Sequence, residues 1–277
     1  EVAGAQFQMG VYYHSGGPGI DPDLKKAVEM TFKAAKQGNL SAKFNLGIIY
    51  QDGIGVAKNP DEAIKWFREA AEGGFDEAQN HLGYCYSKGL NVVQDTDEAI
   101  KWYSLSAKQG HAKALSNLAS KYQSGEGVEK DFGIARRYLL ESAQKGEPLA
   151  YINLGVIYQN GLGTPKNPAK AAKLYHRAAT AKPGHPLGQR ALAYLHANGI
   201  GLEKDLVQAY KWWKLASDAG DAASTQGLEQ VRPLMSQIQI ERAEKLVARI
   251  AGSGNQVRAP PNSFATTPSA PTFQTRL

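Results

Sequence analysis

Three sets of residues in this chain have types and spacings that could do chemistry. Ser142 and Lys145 stand in the run Ser-Ala-Gln-Lys, where a lysine three residues after a serine could take the hydroxyl proton and leave an oxygen nucleophile for acyl transfer. That nucleophile would need an exposed hydroxyl and donors for the developing oxyanion. Six histidines (His14, His81, His111, His176, His185, His196) and a single cysteine, Cys85, are the candidates for proton transfer, metal binding or thiol chemistry. The third set is Asn45, Asn117 and Asn153, with His81 in the same register. A side-chain amide donates and accepts at once, so it can satisfy a backbone unit of an extended peptide.

The elements that must position these groups come from a repeat. "FNLGIIYQDGIG" at Phe44 returns as "INLGVIYQNGLG" at Ile152, and "HLGYCYSKGL" at His81, "NLASKYQSGEG" at Asn117 and "ALAYLHANGIG" at Ala191 share its register. Leu46, Leu82, Leu118, Leu154 and Leu192 follow one another at steps of 36, 36, 36 and 38 residues. An aromatic column runs Tyr50, Tyr86, Tyr122, Tyr158 and then His196, and Gly53, Gly89, Gly125, Gly161 and Gly199 follow three residues after each. "QMGVYYHSGGPG" at Gln8 is a looser first copy. A fixed period of this size marks stacked units, because one short hairpin cannot bury its apolar face without neighbours.

Each copy reads as two helices. Ala42, Leu46, Ile49 and Tyr50 share one face of the first, and Gly53 sits where a left-handed residue would end it. The second opens at "NPDEAIKWFREAA": Asn59 caps it, Pro60 takes the first position and Glu62 closes a capping box. Asp95 with Glu98 and Asp205 with Gln208 repeat that pattern, and Asn167-Pro168 keeps the cap and the proline. Ala63, Trp66, Phe67 and Ala70 make its apolar face, and Gly73-Gly74 end it. Asn91 replaces a loop glycine and is expected to take the left-handed conformation. "AATAKPGHPLG" (Ala178–Gly188) is either a kink between stacks or a longer loop. After Asp221 a further first helix is broken by Pro233, and "SQIQIERAEKLVARI" opens with a Ser236…Gln239 box and is expected to pack Ile238, Leu246 and Ile250 as a closing cap, residues 236–250. The expected fold class is all-α: a right-handed α/α superhelical solenoid over residues 1–250, about six repeats plus the cap. Residues 251–277, with four prolines, many Ser and Thr and only two charges, read as a disordered tail.

This register weakens the catalytic readings. Ser142 falls in the column of Ala34, Ala70 and Ala178, which faces the helix–helix core. Neither Ser-Asp-Asn nor Lys-Thr-Gly, which accompany Ser-x-x-Lys in penicillin-recognising enzymes, occurs. The histidines form no i,i+4 pair beside acidic residues, and the Gly-x-Gly loops lack the Lys-Ser/Thr of a phosphate cradle. The chain is therefore read as non-enzymatic, with no metal and no cofactor. Cys85 shares the column of Ile49 and Ile157 and is expected to be an inert buried thiol; His196 is expected to be a packed ring, and Trp212 and Trp213 to be core. The composition fits a globular chain, 42% hydrophobic and 21% charged, with no run near the roughly 20 apolar residues of a membrane span. A net charge of +6 and a pI near 9.2 permit acidic partners. With no Lys/Arg block and no single column of lysines, nucleic acid is not the expected partner.

The pattern Ala-x-x-x-Leu-Gly-x-x-Tyr-x-x-Gly-x-Gly-Val, followed by an Ala-rich helix holding Trp-Phe or Trp-Tyr, resembles the Sel1-like repeat (SLR); "AKFNLGIIYQDGIGVAKNPDEAIKWFREAAEGG" (Ala42–Gly74) is a close match. The resemblance covers about residues 5–250. It implies the tetratricopeptide-like (TPR-like) solenoid and a role as adaptor, scaffold or regulator in protein–protein interaction. The ending "AYKWWKLASDAGD…IERAEKLVARI" resembles bacterial members, and that resemblance alone points to the cell envelope, periplasm or secretion. The cysteine-rich bacterial branch pairs two Cys within each repeat, which this chain does not. The opening "EVAGAQFQMG" has neither Met nor a signal-peptide pattern, as in a processed product or an excised segment, and fixes no compartment.

On such a scaffold the varying columns are free to specialise. Position 48 gives Ile48, Tyr84, Ser120, Val156 and Tyr194; position 51 gives Gln51, Ser87, Gln123, Gln159 and Ala197; position 44 gives Phe44, Asn80, Ser116, Ile152 and Arg190. All three are expected on the side opposite Ala42, Leu46 and Tyr50, flanked by Asn45, His81, Asn117 and Asn153. Helices about 10 Å apart would meet an extended strand roughly every third residue. The expected ligand is another protein or an extended peptide on the concave first-helix surface. The asparagines could instead bond their neighbouring repeats as part of the scaffold, and the chain could be a structural spacer with no groove ligand. A penicillin-recognising or cell-wall-ligand protein using Ser142 and Lys145 is the disfavoured alternative.

Overall fold

The computed structural model describes residues 2–17, 19 and 21–253. Its helices are α1 (Val2–Ser15), α2 (Leu24–Lys36), α3 (Leu40–Asp52), α4 (Pro60–Glu72), α5 (Asp76–Lys88), α6 (Thr96–Lys108), α7 (Ala112–Ser124), α8 (Phe132–Gln144), α9 (Pro148–Asn160), α10 (Pro168–Thr180), α11 (Pro186–Asn198), α12 (Leu206–Asp218), α13 (Ala222–Val231) and α14 (Gln237–Ser253). The all-α, paired-helix fold class read from the period is the one found. Two compact units emerge: residues up to 121 together with 125–129, and residues 122–124 together with 130 onward. In the first, α1 pairs with α2, α3 with α4 and α5 with α6, and each hairpin rests on the next through α2 on α3 and α4 on α5. In the second, α9 pairs with α10 and α11 with α12; α8 packs on α9, α10 on α11, and α13 and α14 both pack on α12. The insert at 178–188 is a longer loop inside the second unit, where the His185 amide donates to the Ala178 carbonyl at 3.0 Å.

The repeated residues end each helix in the same way. Gly53, Gly89, Gly125, Gly161 and Gly199 close the first helices in the left-handed region, where a side chain would be strained. Asn91, at φ 58°, takes the left-handed conformation as expected. At the second helices Asn59, Asp95, Asp131, Asn167 and Asp205 each accept a first-turn amide with their side-chain oxygen. The expected capping box, however, is only half made. The cap's own amide is already donated to the carbonyl nine residues back, in the aromatic column: Asn59 to Tyr50, Asp95 to Tyr86, Asp131 to Tyr122, Asn167 to Tyr158 and Asp205 to His196, at 2.7–3.0 Å. The third-position carboxylates are thereby released for other work. Glu98 accepts from Lys101 at 2.7 Å and from the Trp102 indole at 2.9 Å.

The hairpins α3–α4, α5–α6 and α9–α10 close by seating a glycine of the first helix directly on a ring of the second. A Cβ on Gly47 would lie 2.4 Å from the Phe67 ring, and one on Gly155 would lie 2.3 Å from Tyr175. Ala42, Leu46, Ala63 and Ala70 fill in around this contact and are fully buried. The closing helix α14 differs from expectation in its packing. The Ser236…Gln239 box forms in both directions, at 2.9 and 3.3 Å. Yet Ile238 is 78% exposed and Ile250 40% exposed, while Ala243 and Val247 are buried against the unit. The Tyr210 hydroxyl donates to Glu244 at 2.6 Å where α14 packs on α12, next to the buried stripe through Ala243 and Val247. The reading of a disordered tail falls, from residue 254 on, outside the described residues.

Candidate functional site

In the first unit α3 presents Asn45, Ile48 and Gln51, α5 presents His81 and Tyr84, and α7 presents Asn117 and Ser120. In the second unit α9 presents Asn153, Val156 and Gln159, α11 presents Tyr194, and Gln123 comes from the last turn of α7. All are half-buried except His81, which is buried. Position 44 departs from expectation: Asn80, Ser116 and Ile152 are buried. The side opposite Leu46 is not solvent there but the next repeat, as the Asn80–Asn117 hydrogen bond and the Phe44–His81 ring contact show.

The flanking column divides by residue. Asn117 Nδ2 donates to Asn80 Oδ1 at 3.0 Å, so its amide ties one repeat to the one before. His81 packs at a tilt against Phe67 and edge-to-face against Phe44, at centroid distances of 4.3 and 5.7 Å, and its Nε2 has no hydrogen-bond partner among the described residues. Burial in this apolar setting pushes its pKa down to about 4, so the ring is neutral at pH 7. Asn45 and Asn153 make no side-chain hydrogen bond among the described residues, which leaves their amides available to a ligand. Asn117→Ala is therefore expected to cost about 1–3 kcal/mol, because it strands the buried Asn80 oxygen. Asn45→Ala strands nothing and should change stability far less; urea denaturation of the two variants makes the comparison. Gln159 is half committed, its Oε1 accepting from Tyr175 at 2.9 Å, and Ile48 leans on the cluster of Ala63, Ile64, Phe67 and Cys85.

The residues singled out for catalysis are placed by the same columns. Ser142 has no exposed surface, like Ala34, Ala70 and Ala178. Its equivalent in the preceding repeat, Ser106, donates to the Asp76 carbonyl at 2.7 Å, which is a helix-to-helix tie. Cys85 is buried and its thiol is pushed up to about 12, so no thiolate is present at neutral pH. Trp212 and Trp213 are core. His196, its pKa lowered by burial, lines an open hollow of about 590 Å³ with Glu203, Lys204, Asp205, Leu206 and Gln239. Among the described residues no group of three or more His, Cys, Asp or Glu is placed to hold a metal, and no helix is long and apolar enough to cross a membrane.

Paired helices of one repeated length, closed by left-handed glycines and by a cap-to-tyrosine hydrogen bond, define a repeat scaffold. The Sel1 repeat profile matches residues 3–39, 40–75, 76–111, 112–147, 148–182 and 186–221, and the chain belongs to the Sel1 repeat family. Proteins of this family generally mediate protein–protein interactions on a repeat scaffold that is not itself catalytic. Among solved structures the chain is similar to c5321, a protective antigen present in uropathogenic Escherichia coli strains displaying an SLR fold, with 30% identity and a TM-score of 0.74. The match covers 91% of this chain and 54% of c5321. It is similar also to a Sel1 repeat protein from Oxalobacter formigenes, with 29% identity, a TM-score of 0.72, and coverage of 83% of this chain and 65% of that one. The chain thus spans less than two thirds of either relative. The immunity protein Pa5087 from Pseudomonas aeruginosa, at 19% identity and a TM-score of 0.52, covering 78% of this chain and 81% of its own, shares the fold. No match was found among curated proteins.

Proposed function

We propose that the chain is a non-enzymatic adaptor that holds a partner protein, or an extended segment of one, on its first-helix faces. The observation that carries this reading is the half-exposure of Ile48, Gln51, Tyr84 and Ser120 in the first unit, and of Val156, Gln159 and Tyr194 in the second, on helices whose leucine faces (Leu46, Leu82, Leu118, Leu154, Leu192) are buried. Tyrosine with aliphatic and amide neighbours suits protein recognition, since the ring supplies area at low entropic cost and the amides pair with backbone. Asn45 and Asn153, with uncommitted amides, are the polar anchors; Asn117 and His81 act by holding their neighbours in place.

The experiment is a capture comparison between the chain and a variant carrying Asn45→Ala, Tyr84→Ala, Asn153→Ala and Tyr194→Ala, all at half-buried positions and verified by thermal melting. A partner retained by the chain and lost from the variant supports the faces as the binding surface. Identical partner sets would sink it, and a pure spacer predicts no selective partner with either bait.

A further inference from the structure

From Pro148 to Leu202 the chain has no aspartate or glutamate, yet it carries Lys166, Lys170, Lys173, Arg177, Lys182 and Arg190. Arg190 pairs with Asp221 at 2.8 Å; the other five make no ion pair among the described residues. The second helices show how this arises. Lys65, Lys101, Arg137 and Lys173 occupy one column, so the cations do line up, contrary to the reading that they form none. In the first unit a carboxylate one turn earlier neutralises each: Glu62 lies 3.4 Å from Lys65 and Glu98 2.7 Å from Lys101. In the second unit that acidic column becomes Ile134 and then Lys170.

Lys170 is costly for the fold alone. It is the third residue of α10, where the partial positive charge of a helix start repels a cation. Its Nζ lies 2.8 Å from the Tyr158 hydroxyl and 4.0 Å from the centre of that ring. Arg136, in the column held by Ile64 and Ile100, approaches the same phenol from α8 and donates to Thr164 Oγ1 at 3.3 Å. Burial raises the Tyr158 pKa, but the hydrogen bonds and charges of Lys170 and Arg136 outweigh it and leave it lowered. Lys170, Lys173 and Arg177, at i, i+3 and i+7, then form one exposed stripe down α10, with Lys166 just ahead of it.

We propose that this stripe, headed by Arg136 and Tyr158, is a docking surface for an acidic segment of a partner protein. Carboxylates would supply the counter-charge that the first unit carries in its own sequence, through charge-assisted hydrogen bonds. A single-stranded nucleic acid needs free aromatic faces for its bases, and here Lys170 covers Tyr158 and Arg177 lies over Tyr151 at 5.8 Å. A lipid surface wants apolar side chains to insert, and among the described residues of 148–182 no large hydrophobic side chain is exposed. The cations of this surface lie on α8, on α10 and in the loop before it, apart from Asn153, Val156 and Gln159 on α9, so it stands or falls independently of the first-helix faces.

The test is fluorescence anisotropy with a labelled peptide rich in Asp and Glu, beside its Asn/Gln counterpart, single-stranded polyadenylate, and phosphatidylserine-containing vesicles read by co-sedimentation. The doubly reversed variant Lys170→Glu, Lys173→Glu matches the charge that Glu62 carries in the first column and should fold normally. Lys65→Glu with Lys101→Glu is the control in the first unit. The acidic peptide is expected to bind the unaltered chain in a salt-sensitive way, to bind the Lys170/Lys173 variant about tenfold more weakly, and to bind the control like the parent. No binding of the acidic peptide, equal loss in both variants, or tighter binding of polyadenylate or vesicles than of the peptide would each overturn the proposal. Should the reversed variant melt low, Lys173→Gln with Arg177→Gln, at exposed mid-helix positions, decides the matter by the same readout.

Discussion

Phe67→Ala is expected to lower stability by about 3–5 kcal/mol, read as a fall in the urea midpoint with an unchanged slope. The ring has no exposed surface and bears three contacts at once: the backbone of α3 at Gly47, the Phe44 ring at 5.4 Å and the His81 ring at 4.3 Å. Removing it opens a cavity whose upper wall is a helix backbone without a side chain. That wall cannot move in without dragging α3 from its seat, so the site collapses poorly and the cost sits at the high end for its chemistry. A loss under about 1 kcal/mol would mean that α3 slides onto α4 and that the Gly47 contact is not a rigid one.

The same cluster sets the second large effect, a loss of stability in mild acid. His81 has a folded pKa of about 4 against an ordinary value of 6.5, because burial disfavours its charged form. The unfolded chain therefore binds the extra proton first, and stability falls as pH drops below 6.5. The loss should reach about 2 kcal/mol at pH 5 and about 3 kcal/mol near pH 4, where the folded state begins to take up the proton as well. His81→Asn installs the residue type of Asn45, Asn117 and Asn153 in that column and removes the titration. Its stability should be flatter than the parent's between pH 7 and pH 4, whatever its absolute value. Parallel slopes for the two proteins would show that His81 is hydrated or charged in the folded state.

Much of this was legible in the residues, and the misreadings have definite causes. Asn59 and Pro60 at a helix start, and Gly53 at a helix end, act through their own backbone and side chain, and the structure places them as read. The capping boxes were half wrong because a competing acceptor, the Tyr50 carbonyl, lies nine residues away across the loop, beyond the reach of a local rule. A helical wheel has one inside and one outside, and so puts position 44 on the surface. A helix in a stack has two neighbours, and Asn80 is buried by the second of them. Ile238 and Ile250 fit a helical period, but the period does not choose which stripe docks; Ala243 and Val247 are the residues buried there, beside the Tyr210–Glu244 bond. The glycines Gly47 and Gly155 carry a signal that helical periodicity does not read: each stands 20 residues before an aromatic that needs the space.

The Asn117–Asn80 bond spans 37 residues, Gln109–Gly74 spans 35 and Arg68–Tyr86 spans 18. These ties between neighbouring repeats are thus closed over one period of chain or less. Loop-closure entropy rises slowly with length, about 0.6 kcal/mol per doubling, so the search that forms each interface stays the same however many repeats precede it. The chain can therefore assemble by accretion, each hairpin condensing on its finished predecessor while the rest is still being synthesised, with a rate set by local closure. Gain or loss of a whole period during descent would leave that rate almost untouched.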